Sequence, residues 1–164
     1  AIESKILKND PNLDEDKLLV QAIGTEISKD FTWTDDKNLD VSGDYYLYPE
    51  EILVTKKGDC EDHGFCVASF EPEIIGVAYG FFYPQGKGEA EKFGHAWNCA
   101  LIGGDLYNME TTGDTCELTK FWDTQSKYDA YMIITKKGTY EIKSGQAFGY
   151  LAKSLNDKTT SVDK

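Results

Sequence analysis

Apolar positions along this chain fall into two textures, one before Pro72 and one after it. In the first part they recur at helical spacing. Leu13, Leu18, Leu19, Ala22, Ile23 and Ile27 mark one face of a helix, with Asp10 as its cap and Pro11 suited to its first turn. Residues 32–44 are polar and predict a loop. Pro49 then opens a short helix through Glu50, Glu51, Ile52 and Leu53, with Gly58 as the expected terminator. A further helix starts at or just before Cys60 and carries Phe65, Cys66, Val67, Ala68 and Phe70 toward Pro72.

Beyond Pro72 the apolar residues become β-branched and aromatic. Residues 74–83 predict a strand, and 84–92 a polar, glycine-containing loop. Residues 95–102 and 105–111 predict two strands joined at Gly103-Gly104, a strong hairpin signal. Residues 128–135 and 139–142 predict a second hairpin around Lys136-Lys137-Gly138. Residues 147–155 predict a closing helix, followed by a polar tail. Helices first and strands later point to an α+β domain, with a cysteine-bearing helix packed on an antiparallel sheet. The expected division is one domain over residues 1–155 and a polar tail over 156–164.

A length of 164 residues suits one such domain. Charge narrows the functions open to it. The net charge is −12, and all 17 basic residues are Lys, with no Arg. Nucleic acids and anionic membrane surfaces are therefore not expected partners, because both need a basic face. No apolar run approaches the roughly 20 residues of a membrane helix. The sequence begins at Ala1, without Met, which leaves a removed leader open. The compartment, cytoplasmic or secreted, and the oligomeric state are not set by the sequence. Four cysteines, Cys60, Cys66, Cys99 and Cys116, are too few for a disulfide framework at this length.

The chemistry concentrates in Lys57-Gly58-Asp59-Cys60-Glu61-Asp62-His63-Gly64. A cysteine in the first turn of a helix sits where partial positive charge accumulates, which favours the nucleophilic thiolate. Such a nucleophile needs a base and a group that orients the base. The chain holds two histidines, and His95 opens a strand in Gly94-His95-Ala96-Trp97. A hairpin centred on Gly103-Gly104 pairs residues whose numbers sum to 207. Glu110 then becomes the diagonal neighbour of His95 on one sheet face, roughly 5–8 Å away between Cβ atoms. That is close enough for a carboxylate to fix the imidazole tautomer.

Cys60, His95 and Glu110, in this order, resemble the transglutaminase-like superfamily of papain-like Cys-His-Asp enzymes. Tyr48-Pro49-Glu50-Glu51-Ile52-Leu53 is similar to the helix before the nucleophile, and Lys57-Gly58-Asp59-Cys60-Glu61-Asp62 to the nucleophile motif. Gly94-His95-Ala96-Trp97 resembles the histidine strand, and residues 106–112 the acidic strand. Glu110 stands where the family usually has Asp. The resemblance implies acyl transfer through a Cys60 thioester, with His95 as base and Glu110 as orienter. The expected activity is hydrolysis of peptide or isopeptide amides in a polypeptide substrate. An amine-accepting transglutaminase and a non-catalytic domain of the same fold are the alternatives. The backbone N–H of Cys60 is the expected oxyanion donor. Trp33, Asp62 and Trp97 are further candidates for the oxyanion side or the cleft.

Two metal patterns compete with this reading. Cys60-x2-His63-x2-Cys66, completed by His95 and Cys99, imitates zinc ligands, although structural zinc sites more often pair C-x2-C knuckles. Asp36-x-Asn38-x-Asp40 imitates a calcium loop, but the loop lacks Gly at its sixth position and has Leu47 at its twelfth. No cofactor is expected, and calcium is the cation to test because some members of the resembled superfamily depend on it.

Overall fold

A computed structural model describes residues 15–38, 46–84, 86, 91–113, 115–124 and 126–142. Helix α1 spans Glu15–Asp30, α2 Pro49–Thr55 and α3 Cys60–Phe70. A two-residue strand, β1 (Thr32–Trp33), pairs in parallel with β2 (Lys57–Gly58). The main sheet contains β3 (Ile75–Phe82), β4 (Phe93–Ile102), β5 (Asp105–Glu110), β6 (Glu117–Lys120), β7 (Tyr128–Thr135) and β8 (Gly138–Glu141). Its order is β6-β5-β4-β3-β7-β8, antiparallel throughout. This is the α+β arrangement expected from the sequence. The expected helix start at Asp10 and Pro11, the closing helix over 147–155 and the tail lie outside the described residues.

Strand periodicity places alternate residues on opposite faces of the sheet. On one face, α1 and α3 cover Ile75, Ala100, Ile102 and Met109, with Val20 and Val67 from the helices closing the core. On the other, Ala78, Trp97, Cys99, Leu106 and Ile133 pack beneath Phe121. Phe121 belongs to a 3-10 turn, Phe121–Thr124, that follows edge strand β6. Neither element was expected from the sequence. The residues of β6, Glu-Leu-Thr-Lys, offer one apolar side chain, too little for a periodic signal.

The segment before Cys60 differs from expectation in one detail. Helix α2 stops before Gly58, as expected, but the left-handed residue that caps it is Lys56 (φ 58°) and not Gly58. Gly58 is instead the strand partner of Trp33. It must lack a side chain because a Cβ there would lie 2.8 Å from the Asp62 Cβ. A second such constraint sits in β3. A Cβ on Gly80, the strand partner of His95, would lie 2.2 Å from the Asp129 carbonyl, where the β3–β7 register slips by one residue.

Candidate active site

Cys60 is the first residue of α3, and the turn that delivers it is pinned from several sides. Asp59 is the N-cap; its Oδ1 accepts from the Asp62 N–H (3.4 Å), while Asp62 Oδ2 accepts from the Asp59 N–H (3.3 Å). Asp62 Oδ1 also accepts from the Leu47 N–H at 2.8 Å. Behind them, the N–H groups of Thr32 and Thr34 donate to the carbonyls of Lys56 and Gly58. Asp62 is fully buried, so it caps the helix and ties down the preceding loop and does not line a cleft. Trp33 is 56% exposed beside Gly58, on the surface next to the helix entry.

The β4–β5 hairpin has the register that its glycine turn predicts: Asn98 pairs with Met109, Cys99 with Asn108 and Ile102 with Asp105, each pair summing to 207. His95 Nε2 and Glu110 Oε2 are 2.9 Å apart. The other carboxylate oxygen, Oε1, accepts from the N–H groups of Thr111 and Thr112 (both 3.0 Å) and from the Thr112 hydroxyl (2.6 Å). Tyr128 Oη donates to Oε2 at 3.2 Å. Burial alone would raise this carboxyl, but the bond and charge of His95 and the Thr112 donors override it and hold it down at about 2. Glu110 is therefore a fixed anion beneath the ring.

Trp97 stacks on the His95 ring, with centroids 5.9 Å apart and planes 24° from parallel. Its indole N–H donates to Asn108 Oδ1 at 2.7 Å. At 1% exposure it supports the imidazole from within the core, which corrects its expected place in a cleft. Phe82 and Tyr128, which sequence reasoning left unassigned, pack on the same aromatic cluster. Their signal was the β-branched and aromatic content of residues 74–83 and 128–135, but the register linking those strands is long-range.

The backbone N–H of Ala96, next to His95 in sequence, points at the Cys60 sulfur. The thiol hydrogen bond, however, goes to Glu61 Oε2 at 3.1 Å and not to the imidazole. Burial, partly offset by the Ala96 amide, pushes the Cys60 thiol up to about 12; the bond to Glu61 and the charges of Glu61 and Asp59 add to the rise. This corrects the thiolate expected from the helix start: in this arrangement burial and flanking carboxylates outweigh the helix terminus. Asp59 is itself raised to about 7 by burial and by Glu61.

His63 is buried under Phe31, with ring centroids 4.0 Å apart. Its Nδ1 lies 3.2 Å from the Thr111 hydroxyl, which donates to Asn98 Oδ1 at 2.9 Å. With the hydroxyl proton committed to Asn98, Nδ1 is the protonated nitrogen of a neutral ring. Burial lowers its pKa to about 4, against a smaller opposing pull from Glu110. The network joins α3 to the residues that hold Glu110. The expected zinc set does not assemble. His63 is engaged as described, Cys66 faces the Pro49 carbonyl, and Cys99 is buried on the far face of the sheet. Among the described residues, the clusters with metal-ligand spacing are Asp59-Cys60-Glu61 and Asp36-Asp59-Asp62.

No protein-family model matches this sequence, and no curated protein is significantly similar to it. Solved structures do share its fold. Calcium-bound LapG of Legionella pneumophila superposes with a TM-score of 0.58 over 87% of this chain and 80% of its own, at 14% identity. The EGTA-treated form of LapG gives a TM-score of 0.56 over 85% and 78%, also at 14% identity. The architecture is a transglutaminase-like α+β fold.

Proposed function

We propose that the domain is a cysteine-dependent acyl-transfer enzyme that hydrolyses amide bonds of a polypeptide. The observation that carries this reading is a convergence. The Cys60 sulfur lies against the Ala96 amide, one residue from His95, while His95 is held by Glu110 at 2.9 Å. Residues 35 and 15 positions apart in sequence thus meet at one end of α3 and β4. The fold shared with LapG agrees with this reading but does not carry it.

In this mechanism His95 takes the Cys60 thiol proton as sulfur attacks the amide carbonyl and the S–C bond forms. Glu110, already bonded to Nε2, leaves Nδ1 as the nitrogen that receives the proton, and its fixed charge stabilises the imidazolium. The Cys60 N–H, at the helix start, donates to the oxyanion. His95 then protonates the leaving amine as the C–N bond breaks. Water, deprotonated by His95, attacks the thioester, releases the acid and restores the thiol. The hydrogen bond from Cys60 to Glu61 must first open.

A cation suits the acidic end of this site. Asp36, Asp59 and Asp62 each offer a carboxylate oxygen, all within 4.8 Å of one another. An all-oxygen set fits a hard divalent ion, and LapG is described as calcium-bound. Calcium held there would supply charge neutralisation beside the nucleophile and fix the turn that Asp59 and Asp62 build.

A peptidyl acyloxymethyl ketone tests the proposal. It should form one thioether, on Cys60 by tandem mass spectrometry, and none in Cys60→Ala. Turnover of peptide amides that survives Cys60→Ala would overturn it. Transfer to an added primary amine in preference to water would identify the amine-accepting alternative.

A further inference from the structure

Helix α3 covers β4 and the near side of β3 but stops short of β7. Half-buried Tyr79 of β3 and Ile134 of β7, with buried Val77 next to Ile134, floor a cavity of about 770 Å³ among the described residues. Phe65 and Ala68 of α3 make one wall, and Tyr46 marks its upper end. This volume lies within the roughly 300–1,000 Å³ typical of sites that engulf a ligand. The lining is predominantly apolar and aromatic, and its charged member, Lys136, is paired with Glu73.

One lining residue, Tyr79, stands near the nucleophile. Tyr79, at one end, is the strand partner of Ala96, whose amide points at the Cys60 sulfur. The Tyr79 hydroxyl lies within electrostatic reach of Cys60, Asp59 and Glu61. The rings of Tyr46, Phe65 and Tyr79 stand in series along the cavity wall, 6.5 and 6.4 Å between centroids. From Tyr79 to Ile75, which lines the far end, the floor runs about 13 Å, the reach of about four extended residues.

We infer that this cavity is the specificity subsite for a bulky apolar side chain, aromatic or large aliphatic, carried by the polypeptide substrate a fixed number of residues from the scissile bond. The inference rests on the acyl-transfer reading for its substrate. Its occupant follows from the chemistry of the wall: three aromatic rings and a β-branched floor reward apolar area and leave polar groups without partners. A polar or very small side chain gains little from these walls.

Two measurements on the full 164-residue chain test it. In the first, a proteome-derived peptide library is digested and the cut bonds are sequenced. One position should be enriched about tenfold in Phe, Tyr, Trp, Leu, Ile or Met, the discrimination an apolar pocket provides. Ile134→Trp, filling the floor, and Ser69→Trp, filling from the exposed helix wall, should each lower the ratio of kcat/KM for a Phe peptide over its Ala counterpart about tenfold. In the second, N-acetyl-phenylalaninamide should shift the methyl resonances of Ala68, Val77 and Ile134 saturably, and N-acetyl-alaninamide should not. Probe binding without any peptide cleavage would retain the pocket and sink the acyl-transfer reading. Cleavage with no enriched position, a selectivity ratio unmoved by both Trp variants, or a cavity closed to the probe in the full chain would overturn the subsite.

Discussion

His95 and Glu110 stand diagonally across the β4–β5 hairpin with Nε2 and Oε2 2.9 Å apart, and the carboxylate is clamped from behind by Thr111 and Thr112. The clamp explains how a glutamate, longer by one methylene than aspartate, keeps a single orientation. Glu110→Gln preserves an oxygen for Thr111 and Thr112 but removes the anion. On the proposed mechanism kcat/KM should fall by on the order of 10²–10⁴ while the fold is retained. Steady-state kinetics with circular dichroism checks this; a parent-like rate would remove Glu110 from the mechanism.

Acid stability reports on the same carboxylate. Its folded value, about 2, lies below the ordinary 4.5. A depressed acid contributes stability that is complete above its unfolded pKa and lost as pH falls through the folded one. The contribution is at most about 3 kcal/mol. Unfolding free energy should therefore drop between about pH 4.5 and 2, and less steeply in Glu110→Gln. Urea titrations at four pH values give the comparison.

Glu61 engages the nucleophile in the structure, so its removal should expose reactivity. Iodoacetamide should label Cys60 first of the four thiols, since Cys66, Cys99 and Cys116 are buried. The rate at neutral pH should nevertheless be slow, because the thiol is held at about 12. Glu61→Gln deletes both the charge and the carboxylate acceptor and should speed labelling several-fold. First labelling at Cys66 or Cys116 would contradict the placement of Cys60.

Calcium binding at Asp36, Asp59 and Asp62 should appear as stabilisation by mass action. A concentration 100-fold above Kd adds about 2.7 kcal/mol. That corresponds to a rise in Tm of several degrees for a domain of this size. Asp59→Asn should reduce the shift, and EGTA should reverse it in the parent. An unchanged melting curve at millimolar calcium counts against a cation here.

The local sequence determined a good deal. Gly103-Gly104 set a turn, the turn set a register, and the register put Glu110 beside His95, because alternation in a hairpin leaves no freedom once its centre is known. The apolar residues after Cys60 likewise marked a helix from about that position, and the structure adds that Asp59 caps it. Tertiary structure decided what depends on distant neighbours. The charge state of Cys60 follows from burial beneath β4 and from the direction Glu61 takes, neither of which is coded within a turn of helix. Asp62 and Trp97 went into the interior because Leu47 and Asn108 met them there, across 15 and 11 residues of chain. The apolar cavity forms, among the described residues, where the side of α3 meets β3 and β7. Sequence pattern states which side chains are apolar, but only packing decides which of them find a partner.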